Sequence, residues 1–263
     1  MKTAAPAKRK KSHLGSLGRH LRDVLINAFP VEMRTPTGLT VRLRNRSEFA
    51  VYRNIFVERV YPFDAFAGEI GATPAPVVFD VGANNGQFAA AIFDRWPQAR
   101  VHSFEPQKNL VPRIREFADI NGLQDRHVVN WCAIGASAGE ADFFQNRSPV
   151  SASLLREKAA RRTVRRVYRV PVKTLDDYAQ TQGILQVDIL KLDVEGVELD
   201  ALRGARQVLG GVRLMFLEVH PPFSTFSQAA ALLQVSGLAC VNPATTPNDS
   251  EQANCVFARR PEL

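Results

Sequence analysis

The feature that most constrains this chain is the string Asp80-Val81-Gly82-Ala83-Asn84-Asn85-Gly86, which follows the apolar triplet Val77-Val78-Phe79 and precedes a helically patterned segment, 87–96. A strand running straight into a two-glycine turn and then a helix predicts a βα unit whose turn approaches a ligand closely. Gly82 and Gly86 lack the Cβ that would block that approach, and N–H groups at the helix start are left to bind polar atoms. An Asp80 carboxylate at the strand end could orient the loop or accept from an amino group. The spacing is neither G-x-G-x-x-G nor G-x-x-x-x-G-K-[ST], so NAD and ATP lose their strongest local signature.

The same alternation recurs further on. Segments 101–104, 127–134, 189–194 and 214–219 read as strands. Leu110, Ile114 and Phe117 mark one face of a helix that Asn121 and Gly122 can end. Leu202, Ala205, Val208 and Leu209 form the buried stripe of another, over 198–209, that Gly210 and Gly211 can end. Thr174 followed by Asp177 predicts an N-capped helix over 175–180. Pro221 and Pro222 stop the 214–219 strand, a helix follows over 226–235, and short extended segments at 238–241 and 255–258 fit a hairpin at one sheet edge. Strands this continuously apolar are expected where helices cover both sheet faces. The expected fold class is α/β, a doubly wound, mainly parallel seven-stranded sheet.

Ahead of this unit, 31–34 and 39–44 read as extended segments reversed by Pro36, Thr37 and Gly38, and Val51, Ile55, Phe56 and Val60 recur with helical spacing over 48–60. Small and helix-breaking residues over 68–76 form a linker. The expected organisation is a basic tail with an amphipathic helix over 1–30, an accessory hairpin and helix over 31–75, and a catalytic domain over 76–263. Within the last, 141–144 and 170–172 read as extended, and 148–166 as an irregular, strongly basic lid or insertion.

Composition limits the function classes. An apolar fraction of 45% over 263 residues suits one large folded α/β domain rather than a disordered chain. The formal charge of +8 is unevenly placed, with a basic run at 8–11 and five arginines between 161 and 169. Either cluster could meet an anionic acceptor, nucleic acid or lipid headgroups, and either serves equally as a solvated surface. Leu14, Leu17, Leu21, Val24, Leu25 and Phe29 are spaced for a helix that packs on its own domain or makes peripheral contact with an anionic membrane. No run of about 18 apolar residues occurs, so a membrane span is not expected. Cys132, Cys240 and Cys255 are too scattered for a disulfide scaffold or a zinc site, which fits a reducing, cytoplasmic setting.

The strand over 101–104 ends at Glu105, 19 positions beyond Gly86. An acid there can accept hydrogen bonds from both hydroxyls of a ribose, as acids after the first βα unit do in other nucleoside-binding folds. Its plainer role is a helix-start or salt-bridge carboxylate. Cys132, near the close of the third strand, where an adenine ring is often flanked in this architecture, offers a soft apolar side chain to the base or to the core.

Taken in order, Asp80 to Gly86, Phe104-Glu105-Pro106, residues 170–177, Lys191-Leu192-Asp193-Val194-Glu195-Gly196 and Glu218-Val219-His220 resemble the FkbM family of class I methyltransferases, over about 45–219. The resemblance implies a Rossmann-like catalytic domain, an S-adenosylmethionine cofactor, and methylation of a hydroxyl on a sugar, glycan or polyketide-like small molecule. It makes Asp80, Gly82, Gly86 and Glu105 the preferred cofactor positions. Asn84-Asn85 departs mildly from a common family form with an apolar second residue. Asp193, just beyond Leu190-Lys191-Leu192, is the acidic candidate beside the transferred methyl or the acceptor. Glu195 is either catalytic or a stabiliser of its turn, and Glu198 begins the next helix. His220 could take the acceptor proton with Glu218 setting its tautomer, or close a turn with Pro221 and Pro222.

Other classes compete. The arginines between 161 and 169 would serve an RNA or DNA methyltransferase, although aromatic interleaving is missing and Pro221-Pro222-Phe223 is a weak match to N-P-P-[YF]. The fold would equally suit a noncatalytic nucleoside- or glycan-binding protein. Asp193, Glu195, Glu218 and His220 include metal-ligand types, but without a close ligand motif a metal is left out of the expected site.

Overall fold

The computed structural model describes residues 29–71, 73–146, 153–156, 164–242 and 247–259. The basic run at 8–11, the apolar helix positions from Leu14 to Leu25, Arg161 and Arg162, and most of the expected lid lie outside the described residues.

The N-terminal segment folds as its turn chemistry predicts. β1 (Val31–Arg34) and β2 (Thr40–Leu43) pair antiparallel around Gly38. α1 (Arg46–Tyr52) is capped by Asn45, whose side chain accepts from Glu48 N, and it continues as a π-helical turn, Arg53–Val57. A 3-10 turn, Phe63–Phe66, and α2 (Ala67–Ile70) follow. The expected linker therefore starts as helix, because Ile70 has a core to enter.

The βα alternation then gives β3 (Val77–Val81), α3 (Gln87–Arg95), β4 (Arg100–Phe104), α4 (Val111–Ile120) and β5 (His127–Asn130). The strand expected over 127–134 is two strands. Pairing of β5 with β4 ends at Phe104 and Asn130, Trp131 Nε1 turns to donate to Pro106 O at 3.0 Å, and β6 (Ala133–Ile134) leaves for a second sheet. That sheet also holds β7 (Gly139–Asn146) and β8 (Val164–Lys173), an antiparallel pair much longer than the segments 141–144 and 170–172. Alternation explains the length: Tyr168, Val170 and Val172 turn to the face that Phe143 buries, Arg165, Val167 and Arg169 stand exposed on the other, and Arg166 is exposed where the buried face runs out.

The remainder comprises α5 (Leu175–Thr181), β9 (Ile189–Leu192), α6 (Glu198–Arg203), α7 (Arg206–Gly211), β10 (Leu214–Val219), α8 (Phe226–Val235), β11 (Leu238–Asn242) and β12 (Ala253–Arg259). The helix expected over 198–209 breaks at Gly204. A Cβ there would lie 2.1 Å from Gly135 O, so the helix meets that loop as bare backbone. Asp176 then accepts from Gln207 N at 3.0 Å and Val208 N at 2.9 Å, starting α7 afresh. Among the described residues no helix is long and apolar enough to cross a membrane.

The main sheet has seven strands in the order β11-β12-β10-β9-β3-β4-β5, and β12 runs antiparallel to both its neighbours, so the fold is the expected mainly parallel α/β sheet. Side-chain alternation builds a core on each face. Phe79, Val81, Leu190, Leu192, Met215 and Leu217 face α5 to α8. Val78, Val101, Ile189, Leu214 and Phe216 face α3, α4 and the N-terminal segment, whose Val41, Leu43, Tyr52 and Ile70 join the same cluster.

Candidate active site

Strand order reverses beside β3. The chain steps outward from β3 to β4 and β5, then crosses back to β9 and β10 on the other side. Loops leaving β3 and β9 consequently diverge at their carboxyl ends, where open α/β sheets bind ligands. A cavity of about 860 Å³ opens at this edge. Gly82, Glu105 and Cys132 belong to its wall, and so do Asp193, Glu195 and His220.

The glycine turn is folded back over the neighbouring strand, with Gly82 N and Ala83 N both donating to Phe104 O, at 3.0 and 3.1 Å. Gly82 has a φ of +76°, and a Cβ on it would lie 1.8 Å from Asp193 O. Backbone conformation and space both require glycine there. Glu105 is buried, its Oε2 accepting from Asn84 N at 2.7 Å and its Oε1 from Gln107 N at 2.8 Å. Burial pushes its carboxyl up to about 7, against the pull of those two bonds. Each oxygen keeps a lone pair for a diol. The Cys132 thiol, pushed up to about 11 by burial, stays neutral and offers apolar surface.

Asp80 and Gly86 sit behind the wall rather than on it. Asp80 pairs in register with Ser103 on β4 and Lys191 on β9, so its carboxylate is enclosed between those side chains. Ser103 Oγ donates to Oδ2 at 3.4 Å, and Lys191 Nζ stands 3.5 Å from Oδ1. Of the two roles expected of Asp80, orienting the loop or accepting from an amino group, this position beneath the turn fits the first. Gly86, at φ +79°, opens α3 against Ile114.

Lys191 is a site residue to which the sequence reading gave no role. It donates to Gly82 O at 2.6 Å and lies 3.8 Å from Asp193 Oδ2, tying the glycine turn to the loop after β9. Burial would drive its proton off, yet Asp80 and Asp193 hold the ammonium charged, above the ordinary lysine range. The signal was a lysine inside the apolar strand Ile189-Leu190-Lys191-Leu192, since a lysine so placed needs buried acids.

On the other side of β3 from Glu105, Asp193 N donates to Val81 O at 3.1 Å. Glu195 follows in the left-handed region at φ +57°, a strain of roughly 1–2 kcal/mol for a residue with a Cβ. His220 directly follows β10 and is only 5% exposed. Its Nδ1 lies 2.8 Å from Glu198 Oε1, while Nε2 lies 3.6 Å from Glu195 Oε2 and 3.8 Å from Glu218 Oε1. The group fixing the tautomer is therefore Glu198 and not the expected Glu218. Glu198 also accepts from Gly196 N at 2.8 Å and from the Ser224 hydroxyl. Burial alone would raise its carboxyl, but the bonds from His220, Ser224 and Gly196 outweigh it and hold the group below the ordinary range. Glu218 is pushed up to about 7 by burial and by Asp193, and Gln252 donates to it.

The third wall comes from the N-terminal segment. Val51, Asn54, Ile55, Val60 and Tyr61 line the cavity, and Tyr61 packs edge-on to Phe88 and Phe216, with centroids 4.8 and 5.2 Å away. Helical spacing had marked this stretch only as cover for the core.

Fold and site together give a Rossmann-like sheet with a glycine turn at the switch point and an acidic, imidazole-bearing pocket facing it, and the family comparison makes this a methyltransferase. Residues 80–240 match the methyltransferase FkbM domain, and the chain belongs to that family of S-adenosylmethionine-dependent enzymes. AMB antimetabolite synthetase AmbE of Pseudomonas aeruginosa is 31% identical over 234 residues, which cover 72% of this chain but 10% of that protein. The 31-O-demethyl-FK506 methyltransferase FkbM of Streptomyces tacrolimicus is 28% identical over 80% of this chain and 89% of its own length. The 2-O-methyltransferase NoeI of Sinorhizobium fredii is 29% identical over 55% of this chain and 63% of its own.

Proposed function

We propose that this protein transfers a methyl group from S-adenosylmethionine to a hydroxyl of a sugar, glycan or polyketide-like small molecule. The observation that carries the reading is a single chamber joining Gly82 and Glu105 to Asp193, Glu195 and His220. Glu105 accepts from the ribose hydroxyls, Gly82 lets its turn lie against the nucleoside, and Cys132 packs against the base. When bound, S-adenosylmethionine supplies an electrophilic methyl on a sulfonium, and its C–S electron pair stays on sulfur to leave S-adenosylhomocysteine. Asp193, Glu195 and His220 align the acceptor hydroxyl for attack, and alignment of two ligands supplies much of such an acceleration. As the C–O bond forms, the hydroxyl proton passes to this carboxylate and imidazole group. The segment over 51–61 shapes the acceptor side. Relatives named for transfer at 31-O and 2-O positions support oxygen as the methylated atom.

Incubation with methyl-labelled S-adenosylmethionine and a panel of hydroxylated sugars, glycans and macrolides tests this. The expected result is one label on an acceptor oxygen with equimolar S-adenosylhomocysteine. His220→Ala should bind S-adenosylhomocysteine normally and lose about 10²-fold or more in kcat. Labelling of RNA in preference to every small acceptor, or turnover unchanged in His220→Ala, would overturn the reading.

A further inference from the structure

We propose that Asp193, Glu195 and His220 form a binding site for a divalent transition-metal ion at the acceptor end of the cavity. One ligating atom of each lies within 4.8 Å of the other two. Carboxylate oxygens with an imidazole nitrogen are the donors that first-row ions such as Mn²⁺ accept. The loop after β9 delivers the two acids and the end of β10 delivers the histidine, and these strands are neighbours in the sheet.

Two observations beyond the clustering point to a cation. His220 is buried, and its Nδ1 is held at 2.8 Å by Glu198, the outer carboxylate that turns Nε2 toward a bound ion. Asp193 Oδ1 is closed off from solvent and has no hydrogen-bond partner among the described residues, whereas Oδ2 is the oxygen facing Lys191. A buried acceptor left without a donor is expensive unless a ligand meets it. Glu218 adds a further carboxylate, with Oε1 3.8 Å from Nε2, so the group holds more negative charge than Lys191 offsets. This departs from the sequence expectation, which left a metal out. In purpose the inference rests on the proposed transfer: an oxygen bound to such an ion loses its proton more readily, and with the ion in place His220 Nε2 holds the metal while a carboxylate of the same group takes that proton.

The full-length protein, stripped with a chelator and dialysed, is titrated with Mn²⁺ while the signal of the free ion is followed by electron paramagnetic resonance. The expected result is saturation at one ion per chain, with ¹⁴N coupling from a single imidazole in the pulsed spectrum of the unsubstituted protein. Asp193→Asn should weaken binding by about tenfold or more, and Glu198→Gln by about 10- to 100-fold, as loss of an outer-shell partner does. No saturation below about 1 mM, a level at which binding is only some 4 kcal/mol, would overturn the site, as would saturation without nitrogen coupling. S-adenosylhomocysteine binding, measured in parallel by calorimetry, separates the two readings: its absence beside saturable Mn²⁺ would strike the methyltransferase proposal and leave the metal site standing.

Discussion

At Gly82 two constraints coincide, a left-handed φ and a carbonyl where a side chain would go. Gly82→Ala should cost roughly 1–2 kcal/mol from conformation alone. It should also displace the Asp193 loop, weakening S-adenosylhomocysteine at least about tenfold, a loss of near 1.4 kcal/mol. Calorimetry and thermal melts check both. Glu105 provides a test by pH. Its carboxyl is raised from an ordinary 4.5 to about 7, so ionising it costs the ligand-free chain stability as pH rises through that window. Ligand affinity runs the other way, because the ribose diol needs the carboxylate as acceptor. Affinity for S-adenosylhomocysteine should be full above about pH 7 and fall up to tenfold per unit below it. A flat profile between about pH 5.5 and 8 would remove Glu105 from the ribose role.

Among the elements, the break between α6 and α7 belongs to packing rather than to helix propensity. Asp176 replaces the missing intrahelical acceptor of α7, and Asp176→Ala should lower stability by about 1 kcal/mol, as loss of a helix cap does. Thermal denaturation measures this, and activity per folded molecule should be unchanged. The π-helical turn and the following Tyr61 make a different prediction, because under the proposed function the cavity wall they form shapes the acceptor side. Tyr61→Ala should raise the acceptor KM severalfold while leaving S-adenosylhomocysteine affinity within about twofold. Equal losses in both would show that Tyr61 merely supports the sheet.

For the molecule as a whole, both halves of the cavity wall stand on one sheet, so filling the cavity should stabilise the entire fold. At about 100 times its dissociation constant, S-adenosylhomocysteine should add about 2.7 kcal/mol. For a chain of this length that is a rise in Tm of roughly 5–10 °C, readable by scanning calorimetry. The N-terminal segment shares an apolar cluster with β3, β9 and β10, so it unfolds with them in the same transition. A separate low-temperature transition would contradict that continuity.

What the sequence by itself determined was whatever depends on neighbours along the chain. The glycine turn, Glu105 at the end of the next strand, the Thr174 cap and the run of βα units were all legible, because strand period, helix period and turn chemistry are local. The tertiary structure decided what lies side by side across the sheet. Register placed Asp80 between Ser103 and Lys191, and so removed it from the cavity wall. The meeting of Glu198 with His220, and of the segment over 51–61 with the acceptor pocket, depends on how helices and loops pack above the strands. Chain spacing carries no record of such distances, since packing joins residues that sequence keeps far apart.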